Sequence, residues 1–136
     1  MQVCIGEISA KGRQGDGMTA MPVVMLLTAT ALVGICLGVF YLRGVRKPVL
    51  IGVHFLLAAG GLETLAMLLH GTPDGTMAAS GPLGTVAAGL VAAAMFCGLT
   101  AALLRRSPLP ANVVLVTHAS LGFAGLAVLL AWVTNP

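Results

Sequence analysis

Four apolar stretches of membrane-spanning length constrain this chain more than anything else in it. They run at about Met21–Leu42, Pro48–Leu69, Pro82–Leu104 and Val113–Val133. Each holds the roughly 20 residues that a helix needs to cross about 30 Å of hydrocarbon. Lipid offers no hydrogen bonds, so only helices and closed barrels satisfy their backbone there. The four runs are apolar throughout and lack the residue-by-residue alternation of barrel strands, which predicts helices. Composition agrees: 58% of the 136 residues are hydrophobic and 8% are charged, where a water-soluble domain carries about a quarter charged residues. The expected fold is an all-α membrane protein, with four transmembrane helices in an up-down bundle built from two helical hairpins.

Residues 18–136 make up that single transmembrane domain, and residues 1–17 differ from it. This leading stretch is polar, glycine-rich and balanced in charge. It lacks the basic-then-apolar order of a signal peptide, so it is expected to be a flexible tail, with Met18 or Met21 as an alternative start. Cys4, Cys36 and Cys97 are odd in number and have no metal-ligand spacing, so they imply no disulfide framework.

The basic residues orient the bundle. Arg43, Arg46 and Lys47 lie between the first two spans, and Arg105 and Arg106 between the last two. The middle loop has no Lys or Arg, only Asp74. The positive-inside rule puts both basic loops in the cytoplasm and the termini outside, as in a bacterial inner-membrane protein. Tyr41 and Trp132 are expected as interfacial anchors at the two boundaries. The net charge of +3 is explained by these loops, so it calls for a lipid bilayer and no nucleic-acid partner.

Within the apolar spans, one histidine occurs twice in the same setting. His54 stands in V-H-F-L-L-A-A-G-G-L-E-T-L and His118 in T-H-A-S-L-G-F-A-G-L-A-V-L. An offset of 64 residues superposes His54 on His118, Leu57 on Leu121, Gly61 on Gly125, Leu62 on Leu126 and Leu65 on Leu129. Spans one and three match only weakly, through the prolines Pro22 and Pro82 at their starts. An ionisable residue inside a bilayer is costly and therefore a functional candidate by default. His54 follows Pro48 by six residues and His118 follows Pro110 by eight. At 1.5 Å per residue both lie roughly 10 Å inside the basic end, on diagonally opposed helices.

That spacing suits a metal between two imidazoles. Diagonal helix axes in such a bundle lie roughly 12–14 Å apart, and a histidine carries a metal about 6 Å from its Cα. Gly61 and Gly125 return to the histidine face seven residues on, offering a notch for a flat group. Gly34, Gly38 and Gly98 keep the other two spans slim, with Ala92, Ala93 and Ala94. Haem b is the expected cofactor: His54 and His118 bind the metal, and Arg43, Arg46, Lys47, Arg105 and Arg106 face its propionates. The arrangement resembles the bis-histidine architecture of membrane b-type cytochromes, though no particular family is matched. A duplicated hairpin also duplicates a structural histidine that bonds a neighbouring carbonyl, and small residues serve helix packing in any membrane protein. A Cys2His2 metal layer with Cys36 and Cys97 is disfavoured, because cysteine reaches too short a distance across the diagonal.

Glu63 is the only acid within a span and lies nine residues past His54, on the opposite side of the helix. It is expected to contact another membrane subunit, while His70 meets water at the outer end. No nucleophile–base pair, phosphate loop or dinucleotide fingerprint is present in the sequence, so no enzyme activity is assigned. The expected function is electron transfer, or anchoring, as a haem-binding subunit of a larger redox complex. The alternatives are a haem-free structural or assembly subunit and a small transporter using Glu63.

Overall fold

The computed structural model describes residues 4–70, 82–104 and 108–134, with the backbone alone for 4–19 and 108–111. Four helices follow in order: α1 Cys4–Leu42, α2 Pro48–His70, α3 Pro82–Leu103 and α4 Pro108–Thr134. Their membrane-spanning portions are Ala20–Leu42, Pro48–His70, Pro82–Leu103 and Asn112–Thr134, within two residues of the expected ends. The chain is an integral membrane protein whose described residues form an all-α four-helix bundle.

The backbone of α1 differs from expectation at its start. It continues helically from Cys4 through the stretch expected to be a flexible tail and through Pro22. Extending an existing helix needs no new nucleation, and Pro22 removes one backbone hydrogen bond from it. At its other end α1 stops abruptly. Gly44 adopts a left-handed conformation, with φ of 68°. Its N–H bonds the Tyr41 carbonyl at 3.0 Å, and the Val45 N–H bonds the Phe40 carbonyl at 2.9 Å. These two bonds make a Schellman cap, which favours glycine because other residues clash in that conformation. Pro48 then opens α2 at a position where a missing N–H costs nothing. Arg105 and Arg106, and the middle loop with Asp74, lie outside the described residues.

Neighbours in the bundle are antiparallel. α1 packs on α2 and α3 on α4, with α3 and α4 the closest pair, while α2–α3 and α1–α4 touch more lightly. At the end carrying residues 43–47, the basic end, the Tyr41 hydroxyl donates to Oδ1 of Asn112, tying α1 to α4. At the far end Gly84 of α3 gives room to Leu69 of α2 and Trp132 of α4: a Cβ there would come 2.7 Å from Leu69 Cδ2 and 3.2 Å from the indole. Trp132, expected as a boundary anchor, is half-buried and packs on the core.

The core obeys one register throughout. The buried positions pair at an offset of 64 residues: Ala20 with Gly84, Val23 with Ala87, Leu27 with Val91, Thr30 with Ala94, Gly61 with Gly125, and Leu65 with Leu129. No described buried residue lacks its counterpart. The duplication therefore includes α1 and α3, which the sequence matched only weakly. Pro22 corresponds to Val86 and not to Pro82, because packing contacts fix the register whereas prolines merely mark helix starts. With lipid outside, the hairpins gain little from the hydrophobic effect and are held by close contact of small and branched side chains.

Burial is confined to the far half. None of the described residues in 31–42, 48–60, 95–104 or 112–124 is buried; each is half-buried or exposed. The far half is packed shut and the basic half is looser.

Gly44→Ala is expected to cost about 1 kcal/mol by forcing a side chain into the left-handed region. Gly52→Ala, where an added Cβ meets nothing within 4 Å, serves as the control. Reversible unfolding in mixed micelles should show a lowered midpoint for the first and an unchanged or raised one for the second, since alanine favours a helix interior.

Candidate functional site

The two repeated histidines come together at the border between the packed and loose halves. His54 on α2 and His118 on α4 approach across the bundle diagonal, with ring centroids 5.9 Å apart and planes inclined at 78°. Both rings are half-buried.

Each imidazole is anchored to the other helix of its own hairpin. His54 Nδ1 lies 3.0 Å from the Thr30 carbonyl oxygen of α1. His118 Nδ1 lies 2.6 Å from the Ala94 carbonyl oxygen of α3. A carbonyl only accepts, so Nδ1 carries the hydrogen in both rings. In the neutral imidazole Nε2 is then left with a free lone pair.

A glycine makes each bond possible. The carbonyl of residue 30 already accepts from the N–H of residue 34 in the α-helical pattern, and it has a second lone pair. Gly34 carries no side chain to cover that carbonyl. A Cβ on Gly34 would sit 3.0 Å from His54 Cε1, and one on Gly98 would sit 2.9 Å from Cε1 and 3.0 Å from Nδ1 of His118. Both glycines were expected to give space to a cofactor's edge; here they seat the imidazoles themselves. The Thr30–Gly34–His54 and Ala94–Gly98–His118 sets are related by the same offset of 64 residues.

Gly61 and Gly125 occupy a different place from the one expected. Each lies buried in the far half, where the facing helix fills its notch. A Cβ on Gly61 would come 2.7 Å from Leu27 Cδ2, and one on Gly125 would come 3.0 Å from Val91 Cγ2 and 3.3 Å from the Val91 nitrogen. These glycines let α1 and α3 approach; they do not border an open groove. Room exists on the other side of the histidines instead. A Cβ on Gly38, one turn from Gly34 toward the basic end, would meet nothing within 4 Å; on the far side of His118, one on Gly122 would meet only Ala94 Cβ, at 4.0 Å.

Imidazoles with Nδ1 held by carbonyls present, in their neutral form, the donor set that metal-bound histidines commonly use. Two metal–nitrogen bonds of about 2 Å each, with the ring radii added, set opposed imidazole centroids about 6 Å apart. Here the centroids stand 5.9 Å apart with the rings edge to face. The donor chemistry thus fits a bis-histidine haem iron. Among the described residues no three His, Cys, Asp or Glu side chains group closely enough for a metal ion. Cys36 is exposed and Cys97 half-buried, and the register pairs them with Thr100 and Val33 respectively, not with one another.

The remaining polar residues lie away from this pair. Arg43, Arg46 and Lys47 are exposed at the basic end, while Arg105 and Arg106 are outside the described residues. Glu63 is exposed on the outer surface of α2. His70 is exposed, and its Nδ1 donates to the Ala66 carbonyl one turn back at 2.9 Å. Sequence reasoning offered a histidine bonded to a neighbouring carbonyl as one reading but did not identify Thr30 and Ala94 as the partners. The signal for them was present: at the register of 64, Gly34 falls on Gly98 and Leu26 on Leu90. No protein-family model, curated protein or solved structure matches this chain.

Gly98→Ala should push the His118 ring off the Ala94 carbonyl and strand a polar group, at a cost of about 1–3 kcal/mol. Gly122→Ala should cost little. Nitrogen-15 spectra of the imidazoles read the effect directly: wild type should show both histidines protonated at Nδ1, and Gly98→Ala should lose that signature at His118 alone.

Proposed function

We propose that this chain is a membrane b-type haem protein, with His54 and His118 as the two axial ligands of one iron, serving as an electron-transfer or anchor subunit of a larger redox complex. One observation carries the reading: two symmetry-related imidazoles, each fixed at Nδ1 by a carbonyl, stand 5.9 Å apart across the bundle. Haem would supply reversible one-electron storage within the membrane. The protein's own contribution is orientation. The Thr30 and Ala94 carbonyls fix the tautomer and direction of each ring, and such partners raise the basicity of a ligating imidazole. Gly34 and Gly98 keep the rings close to α1 and α3.

The looser packing of the basic half and the space beside Gly38 support a bulky group on that side of the histidines. Arg43, Arg46 and Lys47 supply cations for carboxylates at that end, with Arg105 and Arg106 on the second basic loop. By the positive-inside rule those loops face the cytoplasm and both termini the other side, in a bacterial inner membrane.

A second reading is a haem-free assembly subunit, because the same two carbonyl bonds satisfy the imidazoles without any metal. In both readings exposed Glu63 is the contact to another membrane subunit, since a carboxyl facing lipid costs about 2.5–3.5 kcal/mol. A transporter would need that acid inside the bundle, and a single copy holds it outside.

A reduced-minus-oxidised visible spectrum separates the two readings. The haem reading expects a sharp α-band in purified wild type, lost in His54→Ala and in His118→Ala. Colourless wild type, produced with haem supplied, would leave the assembly subunit as the better account.

A further inference from the structure

We propose that the outer face of α2 is where two copies of this chain meet, with Glu63 of each copy hydrogen-bonded to its counterpart across a two-fold axis. The inference rests on the subunit contact assigned to Glu63 above and names its occupant; it holds with or without haem.

Glu63 lies seven residues before the end of α2, roughly 10 Å along the helix and so within the apolar span. It is exposed on the outer surface. The four spans contain no Lys or Arg. His54 is on the opposite side of α2 and His70 is two turns beyond. Nothing basic in a single copy is placed to pair with the acid.

A stripe runs through Glu63 at the spacing of helix–helix contacts. Leu56, Ala59, Glu63, Ala66 and His70 follow one another by three, four, three and four residues. At 3.6 residues per turn they stay within about 80° of arc. Four of the five are exposed and Ala59 is half-buried. Alternating steps of three and four make the seam of two helices in left-handed contact. The internal repeat gives a comparison. In α4 the positions matching Ala59, Glu63 and Ala66 are Phe123, Ala127 and Leu130, and the two large side chains are exposed. The hairpins share one core register, so folding alone does not call for alanine on either side of the acid. In a membrane, small residues let backbones approach, and close contact is what holds helices together. The alanines leave a notch at Glu63 that a second helix can enter.

Two occupants would relieve the carboxyl: a foreign helix carrying a base, or another copy of this chain. Self-matching along the seam favours the copy. The basic loops insert every copy the same way round. A two-fold axis normal to the membrane then sets α2 against α2 in parallel and brings each seam residue to its own counterpart at one depth. Every such residue must tolerate itself. The alanines do so by size and Leu56 by apolar contact. A carboxyl does so by hydrogen bonding, since its O–H donates while its C=O accepts. A Lys or Arg on the axis would have only donors to offer. The second copy therefore satisfies Glu63 with no residue from outside this chain.

The test counts copies per particle by stepwise photobleaching of singly labelled protein in liposomes, over a range of protein-to-lipid ratios. Wild type should form dimers. Glu63→Gln should keep them, because an amide also donates and accepts, and Glu63→Leu should weaken them about tenfold. Ala59→Phe combined with Ala66→Leu, which copies α4, should leave monomers of unchanged helical content. The Glu63 variants add no bulk and decide the matter even if the double variant misfolds. Wild type that stays monomeric at every ratio would overturn the inference, leaving Glu63 to a foreign subunit and the haem reading untouched. Loss of dimers in Glu63→Gln would overturn the hydrogen-bonded pair. Dimers that survive both Glu63→Leu and the double variant would also overturn the inference, by moving the contact to another face.

Discussion

An imidazole inside a membrane bundle needs a partner for its N–H, and the backbone is the only abundant source of acceptors there. Helical carbonyls are already engaged, and side chains one turn on usually screen their second lone pair. Gly34 and Gly98 remove that screen, so Thr30 and Ala94 accept from His54 and His118. The close approach of each hairpin, the tautomer of each ring and the meeting of the two rings all depend on this bond. An unmade bond would leave a polar group stranded in apolar surroundings, which explains why each histidine comes with its glycine.

Apart from the Tyr41–Asn112 bond, the other side-chain hydrogen bonds among the described residues are local. Thr30, Thr64, Thr100 and Thr117 each donate to the carbonyl four residues back, at 2.6 to 3.0 Å. Hydroxyls turned onto their own helix leave the spans free to meet lipid or one another. What packs the far half is size. Gly61, Gly84 and Gly125 let neighbouring side chains lie against backbone, and Leu65, Leu129 and Val23 fill the centre completely. Glu63 is the exception, exposed and with no local device evident in its sequence.

Much of this was legible in the residues. Spanning length and uniform apolarity gave the four helices, and the prolines marked where α2, α3 and α4 begin. His54 and His118 could be placed at one depth on diagonal helices from spacing alone. Two things were hidden. A glycine in an apolar helix can open a cofactor groove, seat a neighbour's side chain or bare a carbonyl, and sequence does not distinguish these uses. Gly61 and Gly125 turned out to admit Leu27 and Val91, whereas Gly34 and Gly98 admit imidazoles. The register between α1 and α3 was obscured because apolar residues interchange freely there: Val23 became Ala87 and Leu27 became Val91 without altering which face is buried.

The uneven packing along the bundle gives it the mechanics of tweezers. Val23, Leu65, Ala87 and Leu129 in the far half act as the fulcrum, and the helix ends at residues 42, 48, 103 and 108 are the tips. Displacements on bending grow with distance from the fulcrum, but the Tyr41–Asn112 bond ties α1 to α4 at the tips, so the hairpins part there only when that bond breaks. The imidazoles stand where the arms begin and therefore move least among the groups of the looser half. Any group reaching the imidazoles from the tips would meet them at the least mobile part of the looser half.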